Sequence, residues 1–265
     1  MLCDFHLHTE FSGDSETAAE EQVLRAIALH MPCICITDHH DPDVVSDCDF
    51  NLDLEKYFPA MEALRARYSD RIRIEIGIEL GLQNHISDKL SLIAARYPFD
   101  FIIGSCHYID GMDPYFPVFF EGKVEKEAYR RFFEVTLERV RNLDCFDSLG
   151  HLDYVVRYGP NQNRAYRFAD YQDLIDPILE TLIQKGKALE CNTGGFHYGL
   201  GHPNPCEEIL CRYRSLGGSL ITIGSDAHTP DRLGFDFDRA RTLLKSCGFT
   251  HYTVYHQREP RCLPL

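Results

Sequence analysis

Short, mostly apolar runs alternate along this chain with segments of helical periodicity, and this order constrains the fold more than any other feature. The runs read LCDFHLH, CICITDHH, IRIEIGIE, FDFIIGSCH, CFDSLGHLD and SLITIGSDAH. Strands that alternate with helices form parallel sheets, because each helical crossover returns the chain to start the next strand in the same direction. Strands that are apolar on both faces are typical of parallel sheets covered by helices. The chain is therefore predicted to be an α/β protein.

The number of strand–helix units favours a closed barrel. Strands are predicted at about residues 2–8, 33–38, 72–80, 99–106, 145–150, 187–192, 219–225 and 251–255. Helices are predicted at about residues 17–30, 54–68, 87–97, 123–142, 170–185, 206–216 and 237–246. Seven or eight such units in 265 residues are typical of a barrel, and no GxGxxG turn supports the alternative, an open dinucleotide-binding sheet. We expect residues 1–265 to form a single barrel domain.

The composition limits the classes of molecule that the protein is expected to bind. Hydrophobic residues make up 44% of the chain, which is enough for a large core. The formal net charge of -14 and the pI near 5.3 predict a surface that repels nucleic acid and anionic membranes. A phosphorylated substrate would therefore need a locally cationic site, and bound metal ions can supply one.

The cysteines and the N-terminus indicate a reducing compartment. The 11 cysteines include no CxxC pair, and Cys33, Cys35, Cys106 and Cys191 lie inside apolar runs. We therefore expect buried, reduced thiols in a cytoplasmic protein. The start, MLCDFHLHTE, lacks the basic segment and long apolar stretch of a signal peptide or membrane span. A soluble protein is expected, and no oligomeric state is predicted.

Histidines and acids lie where the apolar runs end, and we predict that they bind metal. His6 and His8 are two residues apart on a strand, so both side chains point to the same face. Asp226 and His228 repeat this spacing. A single histidine after a strand is more often a hydrogen-bonded residue than a ligand, but a whole set favours one site, because parallel strands end at one mouth of a barrel. The predicted ligands are His6, His8, Asp14, His39, Glu79, His107, His151, Asp226 and His228.

The chemistry of these donors indicates the metal and the reaction class. Nitrogen and oxygen donors without thiolate suit Zn, Mn or Fe(II). A shared carboxylate would let the set hold more than one ion. Clustered divalent ions lower the pKa of a bridging water and stabilise a phosphoryl group during in-line displacement. The pattern therefore favours metal-assisted hydrolysis of a phosphate ester.

Several motifs contain these residues: HLHTEFSGDS, ITDHH, GIE, GSCHYI, GHLDYVVRY, ECNTGG and ITIGSDAH. They resemble the motifs of the polymerase-and-histidinol-phosphatase (PHP) superfamily, most closely its stand-alone histidinol-phosphatase branch, from residue 2 to about residue 260. The resemblance implies a distorted (β/α)7 barrel, similar to a TIM barrel, with three divalent ions. The implied ligand sets are His6, His8, Glu79 and Asp226 for one ion, Glu79, His107 and His151 for a second, and Asp14, His39 and His228 for the third.

The resemblance also implies hydrolysis of L-histidinol phosphate to L-histidinol and phosphate, a step of histidine biosynthesis. The expected mechanism is attack on phosphorus by a hydroxide that bridges the ions. Arg157 is predicted to hold the phosphate, because a guanidinium offers two N–H donors to two phosphoryl oxygens. His197 is a candidate phosphate ligand or general acid, Asn192 is expected to orient the substrate, and Asp153 to contact the substrate or support a ligand.

Three other functions stay open on sequence grounds. A nucleotide phosphoesterase or exonuclease of the same superfamily would need a basic or aromatic groove for a polynucleotide, which the acidic composition disfavours. A non-catalytic module stabilised by metal would be expected to lack ligands, and none of the implied ligands is missing. A metal-dependent amidohydrolase would usually have a bridging lysine at a strand end, and no predicted strand ends in lysine.

Overall fold

Strands and helices alternate along the chain. A computed structural model describes residues 1–44 and 48–265. The strands are β1 (Cys33–Ile36), β2 (His39–His40), β3 (Arg73–Gly81), β4 (Phe101–Ser105), β5 (Ser148–Leu149), β6 (Ala188–Asn192), β7 (Ile221–Gly224), β8 (His251–His256) and β9 (Glu259–Pro264). The α-helices are α1 (Ala19–Ala28), α2 (Leu54–Arg67), α3 (Ser87–Arg96), α4 (Glu125–Asn142), α5 (Gln172–Lys185), α6 (Gly194–His197), α7 (Glu207–Ser215) and α8 (Phe237–Ser246).

Strands β1 to β7 form one parallel sheet. Both β1 and β2 pair with β3, and the order continues through β4, β5, β6 and β7. The N-terminal segment lies between the two edges of this sheet. The backbone N–H of Phe5 donates to the carbonyl of Ile223 at 3.0 Å, and the N–H of Cys35 donates to that of Asp4 at 2.8 Å. The segment therefore closes the sheet, and the predicted distorted parallel α/β barrel is confirmed.

Apolar side chains fill the barrel interior and the layer beneath the helices. The ring centroids of Phe5 and Phe101 lie 5.4 Å apart in an edge-to-face arrangement, and Tyr255 stacks on Phe101 at 4.9 Å. One continuous cluster of buried hydrophobic residues extends from Leu2 to Tyr255. Burial of each such large side chain contributes about 1.5–3 kcal/mol. Because the interior is filled, polar side chains at strand ends meet at the mouth and not within a channel.

Local sequence signals begin and end individual helices. The side chain of Asp53 accepts a hydrogen bond from the backbone N–H of Lys56 and caps α2. Gly186 ends α5 with a φ of +64°, the left-handed conformation that glycine adopts without strain. None of the helices within the described residues combines the length and the apolar character needed to cross a bilayer.

The final predicted strand lies outside the barrel. Residues 251–255 fall in β8, which pairs antiparallel with β9 in a separate hairpin. The hairpin packs on β7, where Thr253 Oγ1 accepts a hydrogen bond from the backbone N–H of Ile221 at 3.1 Å. The sequence shows a strand here but not which sheet it joins.

One expectation about the cysteines is wrong. Cys211 on α7 and Cys247 directly after α8 form a disulfide, so reduced thiols are not general. Packing of α7 against α8 brings the two Cα atoms to 4.6 Å, which a sequence separation of 36 residues does not reveal. The four cysteines in apolar runs are buried and free, as expected: Cys33, Cys35, Cys106 and Cys191.

Candidate functional site

The predicted metal ligands meet at the mouth formed by the C-terminal ends of the strands. Glu79 lies within β3, whereas His107, His151 and Asp226 each follow a strand by two residues. The others come from the N-terminal segment, β2 and the adjoining loops: His6, His8, Asp14, His39 and His228. Several triads of these side chains have their donor atoms within 4.8 Å of one another. We call this set the mouth cluster.

Glu79 is the centre of the mouth cluster. Its Oε2 lies 3.2 Å from His6 Nε2 and 3.0 Å from His39 Nδ1. Its Oε1 lies 3.2 Å from His107 Nε2 and 2.9 Å from His151 Nε2. The side chain is fully buried, and with His8 Nε2 at 3.6 Å from Oε2 the carboxylate faces five imidazoles inside the protein. A buried carboxylate needs compensating positive charge, which neutral imidazoles do not supply.

Asp226 faces imidazoles on one side and a guanidinium on the other. Its Oδ1 lies 3.3 Å from His8 Nε2 and 3.5 Å from His6 Nε2. Its Oδ2 lies 2.8 Å from Nη1 of Arg157. The residue has a φ of +59°, a conformation that aspartate tolerates better than most residues and that marks functional positions. Asp226 therefore contacts both the imidazoles of the cluster and the guanidinium of Arg157.

Asp14 forms the outer part of the cluster. Its Oδ2 lies 3.1 Å from His228 Nε2 and 3.6 Å from His39 Nε2. Nδ1 of His228 donates to the backbone carbonyl of Asp226 at 3.0 Å. In the neutral ring this bond places the proton on Nδ1 and leaves Nε2 able to bind a cation beside Asp14. The predicted loop acid thus lies with the two histidines that the resemblance implies for it.

The donor atoms fit divalent cations. In the described part of the chain, four buried atoms of the cluster that face another proposed ligand lack a hydrogen bond: His6 Nε2, His8 Nε2, His39 Nδ1 and Glu79 Oε2. Unpaired buried polar atoms are costly and uncommon. Two ligands about 2.1 Å from one tetrahedral ion lie about 3.4 Å apart, and Nε2 of His8 lies 3.6 Å from Oε2 of Glu79. Nitrogen and oxygen donors with this spacing suit Zn, Mn or Fe(II).

The electrostatics of the cluster favour bound positive charge. Burial opposes protonation of His6, but the carboxylate of Glu190 and its neighbours raise the pKa of His6 well above the ordinary value. His107 is also buried, yet the carboxylate of Asp41 with its neighbour raises its pKa to about 10. Burial and adjacent histidines lower the pKa of His8 to about 3. Protons and metal ions therefore compete for the same nitrogens.

Two acids that the sequence analysis did not single out hold ligand rings. Glu190 Oε1 lies 2.6 Å from His6 Nδ1, and Asp41 Oδ1 lies 3.0 Å from His107 Nδ1. In both rings the other nitrogen faces Glu79. A carboxylate behind a ligating histidine sets the orientation of the ring and increases its basicity. Each acid is visible in the sequence next to a strand end, but its partner is far away along the chain.

Arg157 is buried beside the cluster and is held by several acceptors. Its Nη1 donates to Asp226 Oδ2 at 2.8 Å. Its Nη2 donates to Asn192 Oδ1 at 2.9 Å, and its Nε donates to Asn204 Oδ1 at 2.7 Å. The amide of Asn204 in turn donates to the carboxylate of Asp153. The structure places Asn192 against the guanidinium and links Asp153 to it through the amide of Asn204.

A cavity of about 460 Å³ adjoins the mouth cluster and has the size of a small-molecule site. Arg157 lines it, with its guanidinium carbon 4.9 Å from the ring centroid of Tyr198 and 5.6 Å from that of Tyr154. Six aromatic side chains, which we call the aromatic wall, form much of the remaining lining: Phe50, Tyr115, Phe116, Tyr154, Tyr158 and Tyr198. The cavity is therefore lined by polar side chains of the mouth cluster, by Arg157 and by the aromatic wall.

His197, like Asn192 and Asp153, is a predicted residue that lies outside the described cavity lining. It is the last residue of α6, and its ring centroid is 5.7 Å from that of Tyr198 and 6.0 Å from that of Phe235. It does not belong to the described residues that line the cavity. Burial lowers its pKa. Its role toward phosphate stays a prediction.

Known proteins share this fold and these motifs. Residues 4–194 match the family model described as the PHP domain. A histidinol-phosphatase of Lactococcus lactis is 36% identical over 258 residues, which are 95% of this chain and 93% of that protein. This chain belongs to the PHP family. A Thermotoga maritima protein named as a probable histidinol-phosphatase is 32% identical, over 96% of this PHP chain and 95% of its own length.

One solved structure resembles the whole PHP chain. It is the crystal structure of histidinol phosphate phosphatase from Lactococcus lactis, complexed with Zn, L-histidinol and phosphate. The match has a TM-score of 0.92 at 34% identity and covers 98% of this chain and 100% of that one. Zinc is thus present in the relative, and this PHP chain has candidate metal-binding clusters at the mouth of its barrel.

Proposed function

We propose that this PHP protein is a metal-dependent histidinol-phosphatase, which hydrolyses L-histidinol phosphate to L-histidinol and phosphate in histidine biosynthesis. The observation that carries the proposal is a single cavity in which the mouth cluster, a buried arginine and an aromatic wall meet. The relative whose crystal structure contains zinc, L-histidinol and phosphate matches almost the whole chain, which supports the same substrate class here.

We assign three divalent ions, of Zn, Fe or Mn, to the mouth cluster. The proposed ligands are His6, His8, Glu79 and Asp226 for the first ion, Glu79, His107 and His151 for the second, and Asp14, His39 and His228 for the third. The two oxygens of Glu79 support the first two sets, because Oε2 faces His6 and Oε1 faces both His107 and His151. Oε2 also lies 3.0 Å from Nδ1 of His39, whose Nε2 faces Asp14 of the third set. Glu79 would then be shared by the first and second ions.

When bound, such ions supply a nucleophile derived from water at neutral pH and neutralise charge on the phosphoryl group. Arg157 can bind the phosphoryl oxygens at the same time. A guanidinium has five N–H donors, and three of those of Arg157 are engaged by protein acceptors. One N–H on each Nη is left for a bidentate contact. We propose that Asn192 and Asp153 keep this plane in place, and that His197 holds phosphate or protonates the leaving alkoxide after moving toward the cavity.

The cavity also offers an acid for the protonated amine of the substrate. Asp113 lies in the lining beside the aromatic wall. Its Oδ1 accepts hydrogen bonds from the backbone N–H of Tyr115 at 2.8 Å and from the hydroxyl of Tyr154 at 3.1 Å. Burial raises the pKa of Asp113, and an adjacent ammonium group would favour its ionised form. The faces of the aromatic wall suit an imidazole ring.

The same lining disfavours a nuclease. Arg157 is the one arginine or lysine among the described residues that line the cavity, whereas four aspartates line it: Asp14, Asp41, Asp113 and Asp226. A groove for single-stranded nucleic acid requires cationic side chains along its length. We therefore propose a small phosphomonoester as the partner, with no nucleic acid or membrane. The continuous core cluster supports the further proposal that residues 1–265 act as one domain.

Release of phosphate from L-histidinol phosphate is the direct test. The purified protein is stripped of metal, and phosphate release is followed as Zn, Mn or Fe(II) is restored, with nucleoside monophosphates and a short single-stranded DNA as competing substrates. We expect kcat/KM for histidinol phosphate to exceed that for nucleotides by at least about 100-fold, because the aromatic wall and Asp113 match its amine and imidazole. Faster turnover of nucleotides would overturn the substrate assignment. Unchanged hydrolysis by Asp226→Ala would overturn catalysis at the mouth cluster.

A further inference from the structure

Glu190 is a buried carboxylate on β6 that contacts no proposed ion or substrate atom. Its Oε1 lies 2.6 Å from His6 Nδ1. Its Oε2 accepts a hydrogen bond from the backbone N–H of His151 at 2.7 Å and another from Asn192 Nδ2 at 3.2 Å. Since Glu190 is only 1% exposed, water does not compete for these contacts. One carboxylate thus reaches two proposed metal ligands.

These contacts fix the orientation of both ligand residues from the side that faces away from the proposed ion sites. A carboxylate only accepts hydrogen bonds, so its contact with His6 places the ring proton on Nδ1 and leaves the Nε2 lone pair toward the ions. That Nε2 lies 3.2 Å from Glu79 Oε2. The bond to the N–H of His151 holds the backbone from which the second ring extends, and Nε2 of that ring lies 2.9 Å from Glu79 Oε1.

Strand β7 lies very close to both Glu190 and His6. A Cβ atom on Gly224 would lie 2.3 Å from His6 Cβ and 2.6 Å from Glu190 Oε1. Strand β7 therefore presses directly on the contact between His6 and Glu190, and a residue without a Cβ is required there. The position of the carboxylate is set by close packing of β6, β7 and the N-terminal segment and not by solvent.

We propose that Glu190 is a positioning residue that presets His6 and His151 for the two ions that share Glu79, and that retention of these ions depends on it. The inference rests on the metal ligation proposed above but not on the identity of the substrate. Residues behind metal ligands typically change metal affinity by about 10–100-fold when they are replaced. Because Glu190 acts on a ligand of each ion, its replacement weakens both.

Glu190→Gln tests this inference, with Glu75→Gln as the matched control. Glutamine keeps the volume of the side chain but has one acceptor oxygen where two donors, His6 Nδ1–H and the N–H of His151, need one each. Glu75 is equally buried, at 1% exposure, but lies at the start of β3, away from the mouth cluster. Zinc-loaded wild type and both variants are titrated with a chelator without substrate. Retained zinc is measured by elemental analysis, and unfolding of the apoproteins by circular dichroism.

We expect Glu190→Gln to lose half of its zinc at a chelator concentration about 10–100-fold lower than wild type, while Glu75→Gln retains zinc as wild type does. Equal retention by Glu190→Gln and wild type would overturn the proposal. Equal loss in both variants would also overturn it, because the loss would then follow from general destabilisation.

Two further outcomes separate this inference from the proposed function. If Glu190→Gln does not fold, Glu190→Asp keeps both acceptor oxygens but shortens the side chain, and unchanged zinc retention by that variant would overturn the proposal. Wild-type protein that retains no zinc would overturn the ligation and this inference together. A zinc difference as expected, in a protein that does not hydrolyse histidinol phosphate, would support Glu190 and refute only the substrate.

Discussion

Two buried glutamates on strand β3, Glu75 and Glu79, lie four residues apart and have opposite surroundings. Glu75 Oε1 lies 2.9 Å from Arg73 Nε, and its Oε2 lies 2.9 Å from His256 Nδ1. Glu79 faces only imidazoles among its charged neighbours in the described part of the chain. The same residue type on the same strand is therefore neutralised at one end of the barrel and left without a fixed cation at the other.

The neighbours of each glutamate extend this contrast. Near Glu75, Asp100 pairs with Arg65 and Asp147 pairs with Arg258. At the mouth, one arginine, Arg157, accompanies the described carboxylates that contact the histidines: Asp14, Asp41, Glu79, Glu190 and Asp226. Although Glu75, Asp100 and His256 have the spacing of metal ligands, arginines already compensate their charge. A buried carboxylate paired with arginine has its charge compensated within the protein, so loss of either partner destabilises the fold, whereas one that faces imidazoles keeps its affinity for added cations.

Removal of metal should show the difference between the mouth and the Glu75 end of the barrel most strongly. Chelation is expected to lower phosphate release by more than about 1,000-fold, because the nucleophile and the charge stabilisation both come from the ions. It should also lower the unfolding midpoint, since a ligand present at 1,000 times its Kd stabilises the folded state by about 4 kcal/mol. Phosphate release and thermal unfolding are measured before and after dialysis, with zinc added back as the control. Full activity at trace metal content would contradict this expectation.

Exchange of a single glutamate for glutamine tests the contrast directly. Glu79→Gln should reduce kcat/KM for histidinol phosphate by more than about 100-fold, because two ions lose their shared ligand. Glu75→Gln should keep kcat/KM within about twofold and lower stability by about 1–3 kcal/mol, because Arg73 and His256 lose a charged partner. The measurements are steady-state kinetics and thermal denaturation. Loss of activity in folded Glu75→Gln would contradict the contrast between Glu75 and Glu79.

The arginines at the two ends should respond differently to a conservative change. Arg157→Lys is expected to reduce kcat/KM by about 100-fold, because lysine cannot make the bidentate contact or keep the bonds to both asparagines. Arg258→Lys, which alters the pairing with Asp147, should affect the unfolding midpoint and leave kinetics within about twofold. Equal kinetic losses in the two variants would show that rigidity of the whole barrel, and not the phosphate contact, is responsible.

Asp113→Asn tests whether Asp113 binds the amine of the substrate at the mouth. We expect KM for histidinol phosphate to rise about tenfold with a smaller change in kcat, because a charged hydrogen bond to the amine contributes about 1.5–3 kcal/mol. Hydrolysis of phenyl phosphate, which has no amine, serves as the control and should change by less than about twofold. A similar loss with both substrates would place Asp113 in general support of the cavity.

The smallest effect on hydrolysis is expected from loss of the disulfide. Cys211→Ser should leave kcat/KM unchanged, because α7 and α8 lie on the outside of the barrel and contribute no residue to the cavity lining that the structure describes. Stability should fall by about 2–4 kcal/mol, because the disulfide restricts the unfolded chain. Thiol titration establishes its state, and thermal unfolding with and without reductant measures its contribution.

Much of the site was predictable because its signals are local. The two-residue spacings of His6 with His8 and of Asp226 with His228 indicate shared faces wherever the strands lie. Glu190 and Asp41 were not predicted as partners of ligand rings, because an acid near a strand end does not show which imidazole it meets. Their distances to His6 and His107 follow from the neighbours that the closed sheet provides.

Some predicted residues have a different place in the structure from the one that their sequence neighbours indicate. Asn192 and Asp153 lie behind Arg157 and not in the cavity lining. His197 lies beyond the aromatic wall, at the end of a short helix that the sequence analysis did not predict. The roles of all these residues stay predictions.

The sequence by itself determined the strand–helix alternation, the parallel barrel and the set of side chains that arrive at its mouth. These follow from apolar periodicity and residue spacing, which act over a few residues. Only the tertiary structure decided which carboxylates are neutralised by arginine and which face imidazoles, where β8 pairs, and which cysteines are joined. Those pairings connect residues that are tens to hundreds of positions apart, such as His6 with Glu190, and are set by how the closed barrel packs.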